Sequence, residues 1–181
     1  MIHHGTFTST ENTGSAEKKN TFTKEERMKI DKRSINDLTG EVIECAIEVH
    51  PELGPGLLES SYEQCLGHEL SLNAINFRLQ HPMPVKYKDV KLDCGYRLDL
   101  LIENRLIVEL KSVDHIKDLH QAQLLTYMKL AKIEIGLLIN FNVTKLANGI
   151  KRLRLEWAKL DKELFFTTRF AREHRGHRVF F

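Results

Sequence analysis

Residues 96–112 read YRLDLLIENRLIVELKS, and the fold turns on how this stretch is laid out. Two runs of leucine, isoleucine and valine flank Glu103-Asn104-Arg105, a sequence suited to a tight reversal. Apolar runs of this length normally disappear into a core as strands. Each nevertheless carries an acid, Asp99 in the first and Glu109 in the second, and Lys111 follows two positions later. With the turn centred on Asn104, residues equidistant from it face each other, so Asp99 sits opposite Glu109. Directly opposed side chains share a face, with Cβ atoms roughly 4.5–5.5 Å apart. Lys111, two residues beyond Glu109, shares that face.

Two carboxylates that close repel, and burial makes the repulsion worse. Two arrangements relieve it. Lys111 can bridge the acids as a structural ion pair. Alternatively, a divalent cation such as Mg²⁺ takes the carboxylates as hard oxygen ligands, together with water and phosphate. Such an ion lowers the pKa of a bound water and stabilises charge on phosphate oxygens. Lys111 would then orient the attacking water or neutralise the transition state. The residues by themselves leave both arrangements open.

Outward from the hairpin, the chain alternates helical and strand patterns. Leu38, Val42, Cys45, Ala46 and Val49 recur at helical spacing. Asn36 or Asp37 is expected to cap this helix, and His50-Pro51 to end it. Pro51–Gly56 is a loop, and a second helix spans about 57–72 with Leu58, Tyr62, Cys65, Leu66 and Leu70 inward. Short strands are expected at 77–81, 83–87, 96–102 and 106–111. A helix over 115–131 turns Leu119, Ala122, Leu125 and Met128 inward, a strand covers 133–141, and 146–155 holds a further short element. The order α-α-β-β-β-β-α-β defines a mixed α/β domain with several antiparallel neighbours.

The boundaries follow composition. Residues 1–33, rich in Thr, Ser, Asn, Lys and Glu, read as a disordered or loosely helical leader. Residues 34–156 form the domain, and 157–181 a basic and aromatic extension. With 41% hydrophobic and 29% charged residues, the 181-residue chain can bury one substantial core. Its net charge of +2 excludes a bulk polycation. From residue 151 onward, however, nine Lys or Arg stand against four acids, a balance suited to an anionic polymer. Cys45, Cys65 and Cys94 are an odd set without CxxC spacing, which argues against a disulfide framework and against a zinc site. No secretory signal is visible at the start, and no run reaches the roughly 20 apolar residues of a membrane span. A cytoplasmic protein without a membrane partner is expected.

Asp99 followed by Glu109-Leu110-Lys111 has the form D…ExK and resembles the core of the PD-(D/E)XK nuclease superfamily. Upstream, Gly56, Glu59 and Tyr62 fit a GxxExxY pattern. The phrase AIEVHPELGPGLLESSYEQCL, with LHQAQLLTYMKL and IGLLINFNV downstream, resembles the bacterial family named after that pattern. The resemblance implies a restriction-endonuclease-like core, a central mixed β-sheet flanked by helices, and a metal-dependent nuclease. It implies Asp99 and Glu109 as ligands of Mg²⁺ or Mn²⁺, Glu59 as a further ligand or water-orienting acid, and Lys111 as the catalytic lysine. Gln123 and Tyr127 match the QxxxY motif of RecB-type nucleases and would complete the pocket. Leu98 stands where the superfamily name has proline.

Each assignment has a plainer rival. Glu59 in a first helical turn also suits the helix dipole, and Tyr62 can simply pack with a polar tip. Gln123 and Tyr127, four apart, can be a solvated pair. His50, His115 and His120 suit capping or solvation, and His174 and His177 lack a convincing metal spacing. Lys86, Lys88 and Lys91, and Lys151, Arg152 and Arg154, form two basic groups able to contact phosphates without reading sequence. The expected function is phosphodiester hydrolysis of nucleic acid, DNA in preference to RNA. The alternative is a catalytically silent nucleic-acid-binding or protein-interaction module on the same fold.

Overall fold

The computed structural model describes residues 33–157, apart from Lys88, Asp93 and Cys94. The expected leader, but for Arg33, and the C-terminal extension, but for Trp157, lie outside the described residues, as do His174 and His177.

Leu38, Val42, Cys45, Ala46 and Val49 are all buried along helix α1 (Ile35–Leu53). Its cap is Ser34, just before the expected Asn36 or Asp37, because the Ser34 hydroxyl accepts the Asp37 N–H at 3.1 Å. The helix also runs past His50 to Leu53. Pro51 falls in the last turn, where its missing N–H removes one bond near the end of the helix. Gly54, at φ 65°, then closes the end by donating to the His50 carbonyl at 2.9 Å. Helix α2 (Glu59–Leu72) follows, with Tyr62, Leu66 and Leu70 buried.

Next come β1 (Phe77–Pro82), β2 (Val85–Tyr87), β3 (Val90–Leu92), β4 (Arg97–Ile102) and β5 (Leu106–Lys111), then α3 (Asp118–Ala131), β6 (Ile135–Asn140) and β7 (Ile150–Arg154). The single strand expected over 83–87 is shorter and pairs with β3 in a separate two-stranded ribbon. The five-stranded sheet has the order β1-β4-β5-β6-β7. Its one parallel pair is β5–β6, joined by the α3 crossover, and its other pairs are antiparallel. This is an α/β fold with a mixed sheet flanked by helices, consistent with the restriction-endonuclease-like architecture.

A sheet covered on both faces needs apolar side chains on both, which explains the continuous runs in β5 and β6. Leu106, Val108 and Leu110 join the core beneath α1 and α2, whereas Ile107 and Leu138 join the one beneath α3. Gly136 on β6 sets how closely α3 can approach: a Cβ there would lie 2.7 Å from the Met128 sulfur and 3.0 Å from Leu124. The inward stripe of α3 is Leu124, Tyr127 and Met128. The expected stripe was rolled by about one position, since Leu119 is 73% exposed and Ala122 is also exposed. Tyr127 can take an inward place because its hydroxyl is satisfied by Gln123.

Candidate active site

The β4–β5 turn fixes the register on which everything else depends. Glu103 and Asn104 both adopt left-handed φ, 47° and 54°, the pair of conformations a type I′ turn requires. Arg105 N–H closes it onto the Ile102 carbonyl at 2.9 Å. The strands then pair as Ile102 with Leu106, Leu101 with Ile107 and Leu100 with Val108. This is the register expected from a turn centred on Asn104. The pairing stops there, one step short of Asp99 and Glu109.

The ladder stops because β4 changes direction at Asp99. Leu98 and Leu101 both pack beneath α3, whereas Leu100 and Ile102 pack on the other side, so strict alternation is broken at Asp99. On the other flank, pairing with β1 also skips this residue. The skipped partner, Gln80, has a left-handed φ of 47°, a conformation held only where surrounding structure enforces it. Freed from both ladders, Asp99 turns its own carboxylate to the neighbouring strand, where Oδ2 accepts the Leu110 N–H at 2.8 Å. The acidic side chains therefore gather where β4 leaves β5.

Glu109 and Lys111 project there from β5. Lys111 Nζ donates to Glu109 Oε1 at 2.7 Å, and both side chains are largely buried. Glu109 is 2% exposed, and its second oxygen, Oε2, is buried with no hydrogen-bond partner among the described residues. Burial, then the charge of Asp99, raises the Glu109 pKa from its ordinary 4.5 to about 7, against the opposing pull of Lys111. Burial likewise raises Asp99, partly offset by the Leu110 N–H and by Lys111. For Lys111, burial works to lower the pKa, but the hydrogen bond and charge of Glu109, with Glu59 and Asp99, raise it on balance.

Glu59 arrives from the first turn of α2. Its Oε1 accepts the Ser112 N–H at 3.1 Å, just beyond β5, while Ser112 Oγ donates to the Leu57 carbonyl at 2.6 Å. Tyr62 does not bond Glu59; it anchors the loop before it. Its hydroxyl donates to the Gly54 carbonyl at 2.7 Å and accepts the Leu57 N–H at 3.1 Å. Its buried ring stacks on Phe141 with centroids 4.3 Å apart. Gly56, at φ 98°, supplies a left-handed turn in that loop. The glycine, acid and tyrosine spacing thus has a local physical basis. An open hollow of about 400 Å³ adjoins Glu59, lined also by Gly56, Leu57, Leu58, Ser112 and Asn142.

Asp99, Glu109, Lys111 and Glu59 thus fall within electrostatic reach of one another. They do not form a ready-made cage: among the described residues, no group of three or more His, Cys, Asp or Glu side chains is arranged to hold a metal ion. Gln123 and Tyr127 bond each other at 2.9 Å, on the buried side of α3, and their hydrogen bonds do not extend to the carboxylates. Lys151, Arg152 and Arg154 are exposed on β7, two strands from β5. Arg152 donates to Asn36 at 2.8 Å and Arg154 lies 3.9 Å from Glu134. Lys86 and Lys91 face each other in the β2–β3 ladder; their side chains, and Lys88 altogether, lie outside the described residues. His120 caps α3 through Nδ1, which accepts the Lys117 N–H at 3.2 Å. His50 is buried, with Nε2 2.8 Å from the Val143 carbonyl, in place of the expected capping or solvation.

Three residues escaped the sequence reading. Glu63 is 5% exposed and takes a hydrogen bond from Gln80, which also bonds Asp99. Its pKa is raised by burial and by the charge of Asp99. It lies four residues after Glu59, on the same helix face, and that spacing was a usable signal. Asn140 pairs with Lys111 across the parallel ladder and pins the chain after β5. It exchanges bonds with Val113 N–H and C=O at 3.0 and 2.7 Å. Nothing local in the sequence marks Gln80 or Asn140, because their partners are remote in the chain.

The five-stranded mixed sheet flanked by helices is consistent with a restriction-endonuclease-like α/β domain. A family model for the PD-(D/E)XK nuclease superfamily matches residues 36–153, and the chain belongs to that superfamily. No curated protein and no solved structure matches it.

Proposed function

We propose that the protein is a Mg²⁺- or Mn²⁺-dependent nuclease of the GxxExxY group, acting in the cytoplasm on phosphodiester bonds of nucleic acid, DNA in preference to RNA. The observation that carries this reading is Glu109. It is almost wholly buried, with one oxygen unpartnered and its pKa raised to about 7 by burial and Asp99. Such a carboxylate gains most from a cation. The donor set fits a hard divalent ion, which uses one or two carboxylates and completes its shell with water and phosphate. Asp99 and Glu109 would hold it, with Glu59 as the third acid. When bound, such an ion supplies an acidified water and stabilises charge on the phosphate.

The remaining work falls to the chain itself. Lys111, kept protonated by its acidic neighbours, offers its ammonium to a phosphate oxygen or orients the attacking water. Gln80 and the Leu110 N–H fix the Asp99 carboxylate. Ser112 holds Glu59 through its N–H, and Gln123 and Tyr127, bonded to each other on α3, would wall the pocket. The basic groups on β7 and the β2–β3 ribbon would add phosphate affinity without sequence preference.

One observation favours the rival reading of a silent binding module. Lys111 already neutralises one oxygen of Glu109 at 2.7 Å, so the cluster is partly self-satisfied without an ion. Cleavage of single- and double-stranded DNA and RNA, with Mg²⁺ and with EDTA, separates the two. The nuclease reading expects wild type to cleave and Asp99→Ala and Lys111→Ala to lose at least about 100-fold. Equal rates in all three proteins would overturn it.

A further inference from the structure

Tyr96 takes no part in the contacts that build the acidic cluster, yet its setting is that of a prepared surface. The residue is 50% exposed. Its ring leans on that of Tyr127, with centroids 6.3 Å apart and planes tilted by 59°, a favourable aromatic geometry. Tyr127 is itself 6% exposed, and its hydroxyl is held by Gln123 at 2.9 Å. The Tyr96 carbonyl accepts the Met83 N–H at 2.8 Å. The ring is therefore supported from behind and pinned through its main chain while half of the residue remains open.

Position gives this a use. Tyr96 stands three residues before Asp99, about 10 Å of extended chain. Tyr127 belongs to the core beneath α3, so the Tyr96 ring lies on that side of the sheet. Ile107 packs beneath α3 too, and alternation along β5 directs Glu109 and Lys111 to the same side. A half-exposed aromatic residue thus lies on the same side of the sheet as the charged cluster.

We propose that Tyr96 is a stacking platform for an unpaired base next to the phosphate held at Asp99, Glu109 and Lys111. The preferred substrate is then single-stranded nucleic acid. Stacking of this kind tolerates any base, because every base has a π face. Within a duplex those faces are already covered by neighbouring base pairs. The inference rests on the nuclease reading only for where the phosphate lies.

The test is binding of labelled single-stranded and hairpin-duplex DNA in Ca²⁺, by fluorescence anisotropy, for wild type, Tyr96→Phe and Tyr96→Ala. Tyr96→Ala is expected to lose about 5- to 150-fold in single-strand affinity, as for other aromatic–base stacks. It should keep duplex affinity, and Tyr96→Phe should keep both. An abasic site scanned along the single strand should reproduce the loss at one position with wild type, and add nothing with Tyr96→Ala. If Tyr96→Ala does not fold, the abasic scan on wild type decides. Unchanged single-strand affinity, an equal loss on duplex, or a flat abasic scan overturns the proposal. Tyr96-dependent binding without cleavage would keep the platform and sink the nuclease reading; cleavage with a flat scan would do the reverse.

Discussion

Replacing Glu109 by glutamine removes one ionisable group from the most buried point of the cluster while keeping its shape and an oxygen for Lys111. In the wild type, burial and Asp99 raise the Glu109 pKa from 4.5 to about 7. The folded protein therefore binds this proton more tightly than the unfolded chain does. That preference favours folding fully below about pH 4.5 and is lost as pH rises towards 7, so wild-type stability falls across that window. At 1.36 kcal/mol per pKa unit, the shift amounts to about 3 kcal/mol. Glu109→Gln lacks this proton linkage, and it also removes the repulsion between Glu109 and Asp99. The variant should match wild type near pH 5 and exceed it by about 3 kcal/mol near pH 8, roughly 6–12 °C in Tm. Urea unfolding in EDTA at several pH values reads the difference directly. A stability gap independent of pH would refute the assignment of the raised pKa to Glu109. Activity should move the opposite way and be lost, since strained acids of this kind trade stability for function.

Adding Mg²⁺ to wild type near pH 7 should raise Tm and release protons, because binding requires the Glu109 carboxylate in its ionised form; calorimetry in buffers of different ionisation enthalpy measures the release, and Glu109→Gln should show neither response. Tyr62→Phe deletes the hydroxyl that joins Gly54 and Leu57, for an expected loss of about 1–3 kcal/mol by urea unfolding, and an unchanged midpoint would show that the loop does not depend on it. Gly136→Ala puts a methyl 2.7 Å from the Met128 sulfur. It should destabilise by about 1–3 kcal/mol, and a neutral result would mean that α3 can shift without penalty.

The hairpin was legible because its information is local. A three-residue reversal between two apolar runs fixes the register as far as Leu100 and Val108, and the direct opposition of Asp99 and Glu109 expected from it fails because β4 leaves the ladder there. The inward face of α1 was legible for the same reason, since its apolar spacing is strong, whereas that of α2 was read only in part: Tyr62, Leu66 and Leu70 are buried, but Leu58 precedes the first turn and is 76% exposed. Helix α3 was not, since it carries apolar residues on several faces, and the choice among them depends on where Gly136 allows the helix to lie. The Pro51 turn and the Ser34 cap misled because end effects are settled by one hydrogen bond.

What the sequence could not disclose is the reason Asp99 is free to act. Regular pairing would direct its side chain to one face and occupy its main chain on both flanks. The structure instead ends the ladder with β5 at Leu100 and omits Asp99 from the ladder with β1, opposite a glutamine with left-handed φ. The cost of that irregularity is carried by partners distant in the chain: Glu63 through Gln80, and the Leu110 N–H. Glu63→Gln is therefore the informative perturbation of the supporting shell. It retains a side chain able to meet Gln80 and removes the charge that repels Asp99. If the break in β4 exists to present Asp99, cleavage in Glu63→Gln should survive within about tenfold while its Mg²⁺ affinity changes, as for outer partners that tune a metal ligand. Loss of folding instead would assign Glu63 to the core, and identical metal affinity would separate it from the site altogether.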